Sequence, residues 1–255
     1  MHSVLIGLCF AASMFICGVA GMAVNRRAPE RHFTENARDL LKLVVALTST
    51  LSAMVLGLLV ASSYSVYTTQ KAGLQTLSAR AVEINRMLVQ YGADVAPGQE
   101  LLKLALEQGL SQFWGVEKPN SPTLTLSKAA INAPFQAFGD YLGTLKPDRV
   151  VQTRLLDKID ALYSSMIESH DMMYMQLSNP IAWQLLLVLA SWTSALFFGL
   201  GLLSRIGATS VGAIAVGAVI MAGAIFLILD LSQPYSGVIR LSPAPLEEAI
   251  KFVRD

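Results

Sequence analysis

The stretch from residue 40 to residue 66 constrains the fold more than any other part of this sequence. It is 27 residues long and apolar apart from Lys42 and scattered hydroxyl side chains. As a helix it would extend about 40 Å, whereas the hydrocarbon core of a bilayer is about 30 Å thick. The stretch is therefore predicted to cross a membrane, and either to tilt or to protrude from it.

The residues that follow favour protrusion. Apolar side chains continue at alternating steps of three and four, which is the spacing of a packed helix. These positions are Leu74, Leu77, Ala81, Ile84, Leu88 and Tyr91. One helix is thus predicted to cross the membrane, to continue outside it and to end near Gly92.

Three further stretches are long and apolar enough to span a membrane, at residues 4–24, 181–203 and 207–229. No Lys or Arg precedes the first of them, which favours a membrane helix over a cleaved signal peptide. Charged residues make up 15% of the chain, against about 25% in soluble domains. The deficit lies in these stretches and predicts an all-α integral membrane protein with four transmembrane helices.

The chain is predicted to have four domains. They are a transmembrane hairpin at 1–67, an extramembrane helical region at 68–180, a second transmembrane hairpin at 181–232, and a tail with an amphipathic helix at 233–255. The apolar face of the tail helix, predicted at 245–253, is expected to lie on the membrane or against the extramembrane region.

The extramembrane region contains two short predicted helices, at 99–112 and 133–145, with an irregular loop around Trp114 between them. A long helix at 149–177 carries a second apolar seam with the same three-four spacing. Antiparallel pairing of this helix with the end of the first seamed helix would bury both seams, and this pairing predicts a helical stalk.

Charges near the apolar stretches indicate the orientation in the membrane. The loop after the first stretch carries four arginines, and Arg205 lies in the short link before the fourth stretch. The positive-inside rule therefore predicts a multi-pass protein with both short loops in the cytoplasm and the stalk outside. Lys71, Arg80 and Arg86 follow the second stretch on the opposite side, so the inverted orientation stays open.

Hydroxyl side chains in the second stretch are candidates for lining a pore. Those we select are Thr48, Ser49, Ser52 and Ser62. Hydroxyls inside a membrane helix either face a wet path or donate to the carbonyl four residues earlier and contact neighbouring helices. The sequence leaves both interpretations open.

Two titratable residues stand out. Asp230 follows the fourth apolar stretch, and it is expected either at the membrane interface, with Arg240 as the nearest partner in sequence, or in an ion- or proton-linked role. His170 occupies a seam position of the long helix. It is predicted to be a partly buried, hydrogen-bonded histidine, with a pH- or ligand-sensitive switch as the alternative.

Small residues recur four apart in the fourth stretch, among them Gly212, Ala213 and Gly217. Such residues let helix backbones approach closely, so we predict a helix–helix contact here, within or between subunits.

Several functional classes lack their usual signatures. The three histidines are far apart, and no glycine-rich phosphate loop, zinc-spaced cluster or nucleophile elbow is present. Residues 68–180 contain ten Lys and Arg against eleven Asp and Glu, which does not favour nucleic acid. We therefore predict no enzymatic activity, cofactor, metal site or nucleic-acid partner.

Three local strings resemble the bestrophin-like domain family of bacterial membrane proteins. They are KLVVALTSTLSAMVLGLLVAS at 42–62, NRMLVQYG at 85–92 and DLSQPYSG at 230–237. Trp114 and Trp192 also lie where the family pattern leads us to expect them. One departure is Asn85, where an acidic residue would be expected before Arg86.

The resemblance implies remote kinship with bestrophins, which are pentameric anion channels with four membrane helices per subunit and a cytosolic helical body. It implies a pore lined by the second membrane helix, a homo-oligomer in the bacterial inner membrane, inorganic ions as ligands and a cytoplasmic stalk, opposite to the charge rule. The predicted function is an ion channel or channel-like protein. The alternative is a non-conducting membrane scaffold or sensor whose stalk binds a partner.

Overall fold

The computed structural model describes residues 2–27, 35–92, 95–115, 128–177 and 183–254. Most residues within these ranges are helical, and the helices are α1 (His2–Arg27), α2 (Glu35–Tyr91), α3 (Ala96–Trp114), α4 (Lys128–Thr144), α5 (Val150–Leu177), α6 (Trp183–Leu203), α7 (Ala208–Leu231) and α8 (Ala244–Arg254). The all-α prediction is confirmed.

Four of the helices are long and apolar enough to cross a membrane. The qualifying segments of the described chain are Val4–Arg27 in α1, the whole of α2, Gln184–Leu203 in α6 and Ala208–Leu231 in α7. Each of them overlaps one of the four stretches selected from the sequence, so the predicted number of membrane helices is confirmed.

Helix α2 is continuous over 57 residues, from Glu35 to Tyr91. The prediction that the second membrane helix continues beyond the bilayer is therefore confirmed. The helix stops before Gly92, whose φ of 119° lies in the left-handed region that favours glycine.

The chain folds into two compact units. The membrane unit comprises Met1–Tyr67 and Pro180–Gln233, and the stalk unit comprises Thr68–Asn179 and Pro234–Asp255. Helix α2 contributes residues to both. The four domain boundaries proposed from the sequence stay a prediction.

The core of the membrane unit is formed by side chains from α1, α2, α6 and α7. Its most buried members include Met14, Leu59, Leu189, Ile225 and Ile228. In the stalk unit, the seam positions Leu74, Leu77, Ala81, Ile84 and Leu88 of α2 are all buried. In the stalk unit this burial removes apolar surface from water and stabilises the helix packing. In the membrane unit, where lipid is as apolar as the side chains, close packing of the helices has this role.

The tail helix packs within the stalk unit. Leu246, Ala249 and Val253 lie on one face of α8, and each exposes less than 5% of its surface. Helix α8 contacts α3. The apolar face of α8 was expected either on the membrane or against the extramembrane region. In the structure it lies against the stalk unit.

The structure corrects one local prediction. Trp114 was expected in an irregular loop, but it is the last residue of α3. The helix extends because Phe113 and Trp114 pack on other aromatic side chains of the stalk unit, and tertiary contacts of this kind override weak local signals.

Candidate functional site

The candidate pore hydroxyls lie on α2 in the membrane unit and differ in exposure. Ser49 and Ser62 are exposed, Thr48 is half-buried, and Ser52 is fully buried. The Ser52 hydroxyl has no hydrogen-bond partner among the described residues. A buried hydroxyl without a hydrogen-bond partner costs free energy in an apolar core. Ser52 is therefore an unsatisfied polar group inside the membrane unit.

Other hydroxyls of this helix bond back to its own backbone. Thr50 donates to the carbonyl of Ala46 at 3.0 Å, and Ser63 donates to that of Leu59 at 2.9 Å. These two side chains therefore satisfy their polarity without a pore or a partner.

The candidate pore hydroxyls lie on different sides of α2. With 3.6 residues per turn, Ser52, Leu59 and Ser63 lie on one strip, and all three are buried. Ser49 and Ser62 flank this strip on its two sides. The four predicted residues thus do not form a single line facing one path, and only Ser49 and Ser62 are open to the surroundings of the subunit.

A continuous apolar stripe lies on the uncovered side of α2. We call it the leucine stripe, and its members expose between 43% and 75% of their surface: Leu40, Leu43, Leu47, Leu51, Met54 and Leu58. The next position at the same spacing is Ser62. This side of α2 is therefore available to lipid, to a pore or to another copy of the chain.

Asp230 lies in the last turn of α7, within the membrane unit. Its side chain is 1% exposed, and its backbone carbonyl accepts a hydrogen bond from the Gln233 amide at 3.1 Å. A carboxylate enclosed by its own subunit is more buried than the interfacial location expected from the sequence. Its ion-linked role and its pairing with Arg240 stay predictions.

The small residues of α7 are mostly uncovered by their own chain. Gly212 has no heavy atom within 4 Å of a Cβ built on it, Ala213 is exposed, and a Cβ on Gly217 would lie 3.4 Å from the ring of Phe197. Of these three residues, Gly217 is the one that faces a neighbouring helix within the described part of the chain. A contact through Gly212 and Ala213 would have to involve another subunit and stays a prediction.

The closest helix approach in the membrane unit involves glycines that we did not select. A Cβ on Gly21 would clash with the backbone of Phe198 and Gly201, and one on Gly201 would clash with the carbonyl of Gly18. The sequence did contain a sign of this close approach. Gly18 and Gly21 are three residues apart in α1, and small residues at such spacing are typical of closely packed membrane helices.

A buried polar network joins three segments of the stalk unit. Gln70 of α2 donates through its Nε2 to the carbonyl of Met173 at 3.1 Å and to Oε1 of Gln176 at 2.9 Å. Its own Oε1 accepts a hydrogen bond from the Tyr235 hydroxyl at 2.8 Å. Burial raises the pKa of Tyr235, which keeps this hydroxyl a donor.

Aromatic rings surround this network. Phe113 stacks on Tyr235 with ring centroids 5.0 Å apart, and Trp114 meets Tyr235 edge-on at 5.0 Å. The Trp114 indole donates to the carbonyl of Leu241 at 3.1 Å. These contacts attach the start of the tail to α3, and we did not predict them because they join residues more than 100 positions apart in sequence.

His170 lies beside this aromatic cluster and is 3% exposed. Its ring contacts those of Phe113 and Phe135, with centroids at 5.7 and 4.9 Å. Nδ1 lies 3.4 Å from Oδ1 of Asp171, whereas Nε2 has no partner among the described residues. Burial lowers the pKa of His170, and the neighbouring Asp171 only partly opposes this.

The stability of the stalk unit should therefore fall on acidification. Below pH 6.5, the ordinary His170 value, the unfolded chain takes up a proton that the folded chain does not. The free energy of unfolding is then expected to decrease by up to about 1.4 kcal/mol per pH unit, until the lowered pKa is reached. Denaturation of the wild type and of His170→Leu at pH 7.5 and 5.5 tests this. An equal loss in both proteins would contradict the prediction.

Asn85, the residue that departs from the family pattern, has a structural role as a neutral group. It accepts a hydrogen bond from Nε2 of Gln99 at 2.8 Å and donates to the carbonyl of Phe252 at 3.3 Å. The neighbouring Arg86 lies over the Phe252 ring, 5.1 Å from its centroid. The site thus attaches α8 to the end of α2 without an acidic residue.

Four membrane-spanning helices and a helical stalk unit define the class as an all-helical, multi-pass membrane protein. The model of the Bestrophin-like domain family matches residues 12–246. The chain therefore belongs to the Bestrophin-like domain family, as its local strings predicted.

Solved structures share this fold. A crystal structure of a point mutant of a bacterial bestrophin homolog from Klebsiella pneumoniae has a TM-score of 0.71 at 13% identity and covers 100% of both chains. Another structure of a Klebsiella pneumoniae bestrophin homolog, phased by Zn-SAD, has a TM-score of 0.71 at 12% identity over 96% of both chains. A crystal structure described as a membrane protein has a TM-score of 0.67 at 12% identity and covers 96% of both chains. No curated protein matches the sequence significantly. The chain is thus a membrane protein with the fold of bacterial bestrophin homologs.

Proposed function

We propose that this protein is a homo-oligomeric ion channel of the bacterial inner membrane in which α2 lines the pore. One observation carries the proposal. The leucine stripe runs along the membrane part of α2 and is not covered by the other described residues. A central path around which several copies place this side of α2 would explain a stripe of this length. The kinship with bestrophins suggests five copies and anions as the conducted ions.

The side chains on this part of α2 also fit a gated path. Apolar constrictions close pores by excluding water, and hydroxyls beside them let ions shed part of their hydration shell. Ser62 continues the leucine stripe, and Ser49 is exposed elsewhere on the same helix. We therefore propose Ser62 as the hydroxyl that contacts ions. Thr48, Ser49 and the buried Ser52 lie away from the leucine stripe and would influence the pore through the packing of α2.

Flux measurements in liposomes test the proposal. The purified protein is reconstituted, and chloride and nitrate fluxes are followed beside those of a Ser62→Val variant. We expect protein-dependent flux whose rate or anion selectivity changes in the variant. Thr76→Val is the matched control, because Thr76 is exposed on the stalk part of α2 and bonds to the Ala72 carbonyl at 2.8 Å. Its flux should equal that of the wild type.

A second function is supported by an apolar groove in the stalk unit. The groove lies between α3 and α4, has a volume of about 490 Å³, and is lined by Leu101, Leu104, Pro134 and Ala137 among others. A non-conducting scaffold or sensor would bind a partner helix there. Absence of flux for both anions at several pH values, from folded and oligomeric protein, would favour this function over the channel.

A further inference from the structure

Four exposed arginines lie at the ends of membrane helices. Arg26 and Arg27 end α1, Arg38 lies in the first turns of α2, and Arg205 lies in the link between α6 and α7. We call these four residues the basic end of the membrane unit. What this end binds does not depend on whether the protein conducts ions.

Contacts within the membrane unit bring these residues to the same end. The Asn25 side-chain amide donates to the Ser204 carbonyl at 3.0 Å, which joins the end of α1 to the link that carries Arg205. A Cβ on Gly199 would lie 2.7 Å from Cγ2 of Val45, so the third turn of α2 lies beside the last turns of α6. Arg38 lies two turns before Val45, towards the same end. The residues are separated in sequence by up to 179 positions but share one end of the fold.

The charge of the basic end is not neutralised by ion pairs within the described residues. Asp39 is nearby, but its carboxylate pairs with Lys42 at 2.9 Å. None of the ion pairs formed by the described side chains includes Arg26, Arg27, Arg38 or Arg205. Several guanidinium groups in one place, without an ion-pair partner among the described residues, attract anions, and their planar donors suit phosphate oxygens.

Exposed apolar side chains accompany the arginines. Val24 is 45% exposed one turn before Arg27, Leu40 is 65% exposed near Arg38, and Ile206 is 52% exposed next to Arg205. A soluble anion would leave these apolar surfaces uncovered. A lipid covers them with its acyl chains while its phosphate meets the guanidinium groups, which is how basic pockets between membrane helices bind lipid headgroups.

We propose that the basic end is a binding site for the headgroup of an anionic phospholipid. The headgroup is held between the end of α1, the start of α2 and the α6–α7 link. The site discriminates by charge, because a zwitterionic headgroup adds a cation close to the arginines. Binding therefore distinguishes anionic from zwitterionic lipids with the same acyl chains.

Native mass spectrometry of the full chain in a neutral detergent tests the site. Dioleoylphosphatidylglycerol and dioleoylphosphatidylcholine are titrated separately, and the bound fractions are compared. We expect preferential binding of phosphatidylglycerol, and a decrease of about fivefold for each arginine removed in R26Q, R27Q and R205Q. Equal binding of the two lipids by the wild type would overturn the proposal.

The matched control removes the same charge from the stalk unit. The triple variant R149Q/R154Q/K158Q changes three exposed cations of and beside α5. It should bind phosphatidylglycerol as the wild type does, whereas R26Q/R27Q/R205Q should not. Equal loss in both triple variants would show non-specific attraction and overturn the site.

Two further measurements complete the test. Glycerol phosphate at millimolar concentration should not displace phosphatidylglycerol, and displacement would show a site for soluble phosphate instead of a lipid site. If R26Q/R27Q/R205Q does not elute as folded protein, the single variant R205Q is compared with wild type at low and high salt. Binding by R205Q equal to wild type at low salt would also overturn the proposal.

Discussion

Gly201→Val is expected to destabilise the membrane unit by about 3 kcal/mol or more, the upper part of the range for overpacked cores. A Cβ at this position would clash with the Gly18 carbonyl and lie 3.0 Å from the Met22 amide nitrogen. Both atoms belong to the backbone of α1, so no side-chain rotation relieves the contact. Helices α1 and α6 would have to separate, and core contacts of both would be lost.

The measurement is unfolding of the purified protein in mixed micelles with increasing sodium dodecyl sulfate, followed by circular dichroism. Gly223→Val is the matched control, because a Cβ on Gly223 meets no heavy atom within 4 Å. Its free energy of unfolding should stay within about 0.5 kcal/mol of the wild-type value. A Gly201→Val protein with the same free energy of unfolding as the wild type would refute the close approach of α1 and α6.

Phe113→Ala is expected to destabilise the stalk unit by about 3–5 kcal/mol, the usual cost of deleting a buried aromatic ring. Phe113 is 5% exposed and contacts the rings of Trp114, His170 and Tyr235. Its removal leaves a cavity between α3, α5 and the start of the tail. The Tyr235 ring loses its stacking partner, so the tail should also open more often.

Hydrogen exchange read by mass spectrometry separates the two consequences. Peptides from α3 and from residues 234–254 should exchange faster in Phe113→Ala, and chemical denaturation should give the loss of stability. Leu104→Ala on the same helix is the control, since Leu104 is 46% exposed and its truncation should cost less than about 1 kcal/mol. Unchanged exchange in the tail would show that Phe113 does not hold it.

The membrane helices and the length of α2 could be predicted because their signals are local. An uncharged stretch of about 20 residues has few alternatives to a membrane helix, and the three-four spacing from Leu74 to Leu88 requires a buried helix face. The strings at 42–62, 85–92 and 230–237 also pointed to the family, whose model matches residues 12–246.

The candidate site was predicted less completely, since exposure depends on the neighbours of a helix. Composition selected Ser49, Ser52 and Ser62 alike, but packing against the membrane unit buries Ser52 and leaves the other two exposed. The apolar face of α8 was clear from its spacing. Whether membrane or stalk covers it depended on contacts with α3, which the spacing alone does not contain.

The number of membrane helices, the continuation of α2 to Tyr91 and the apolar faces follow from local signals, because hydrophobic periodicity acts over a few turns of one helix. Which groups meet depends on the tertiary structure. It brought Gln70, Phe113, His170 and Tyr235 into one cluster, and Asn25 to Ser204, over separations of up to 179 residues. Such contacts arise from the packing of complete helices, where the shape and polarity of distant side chains must match at the same time.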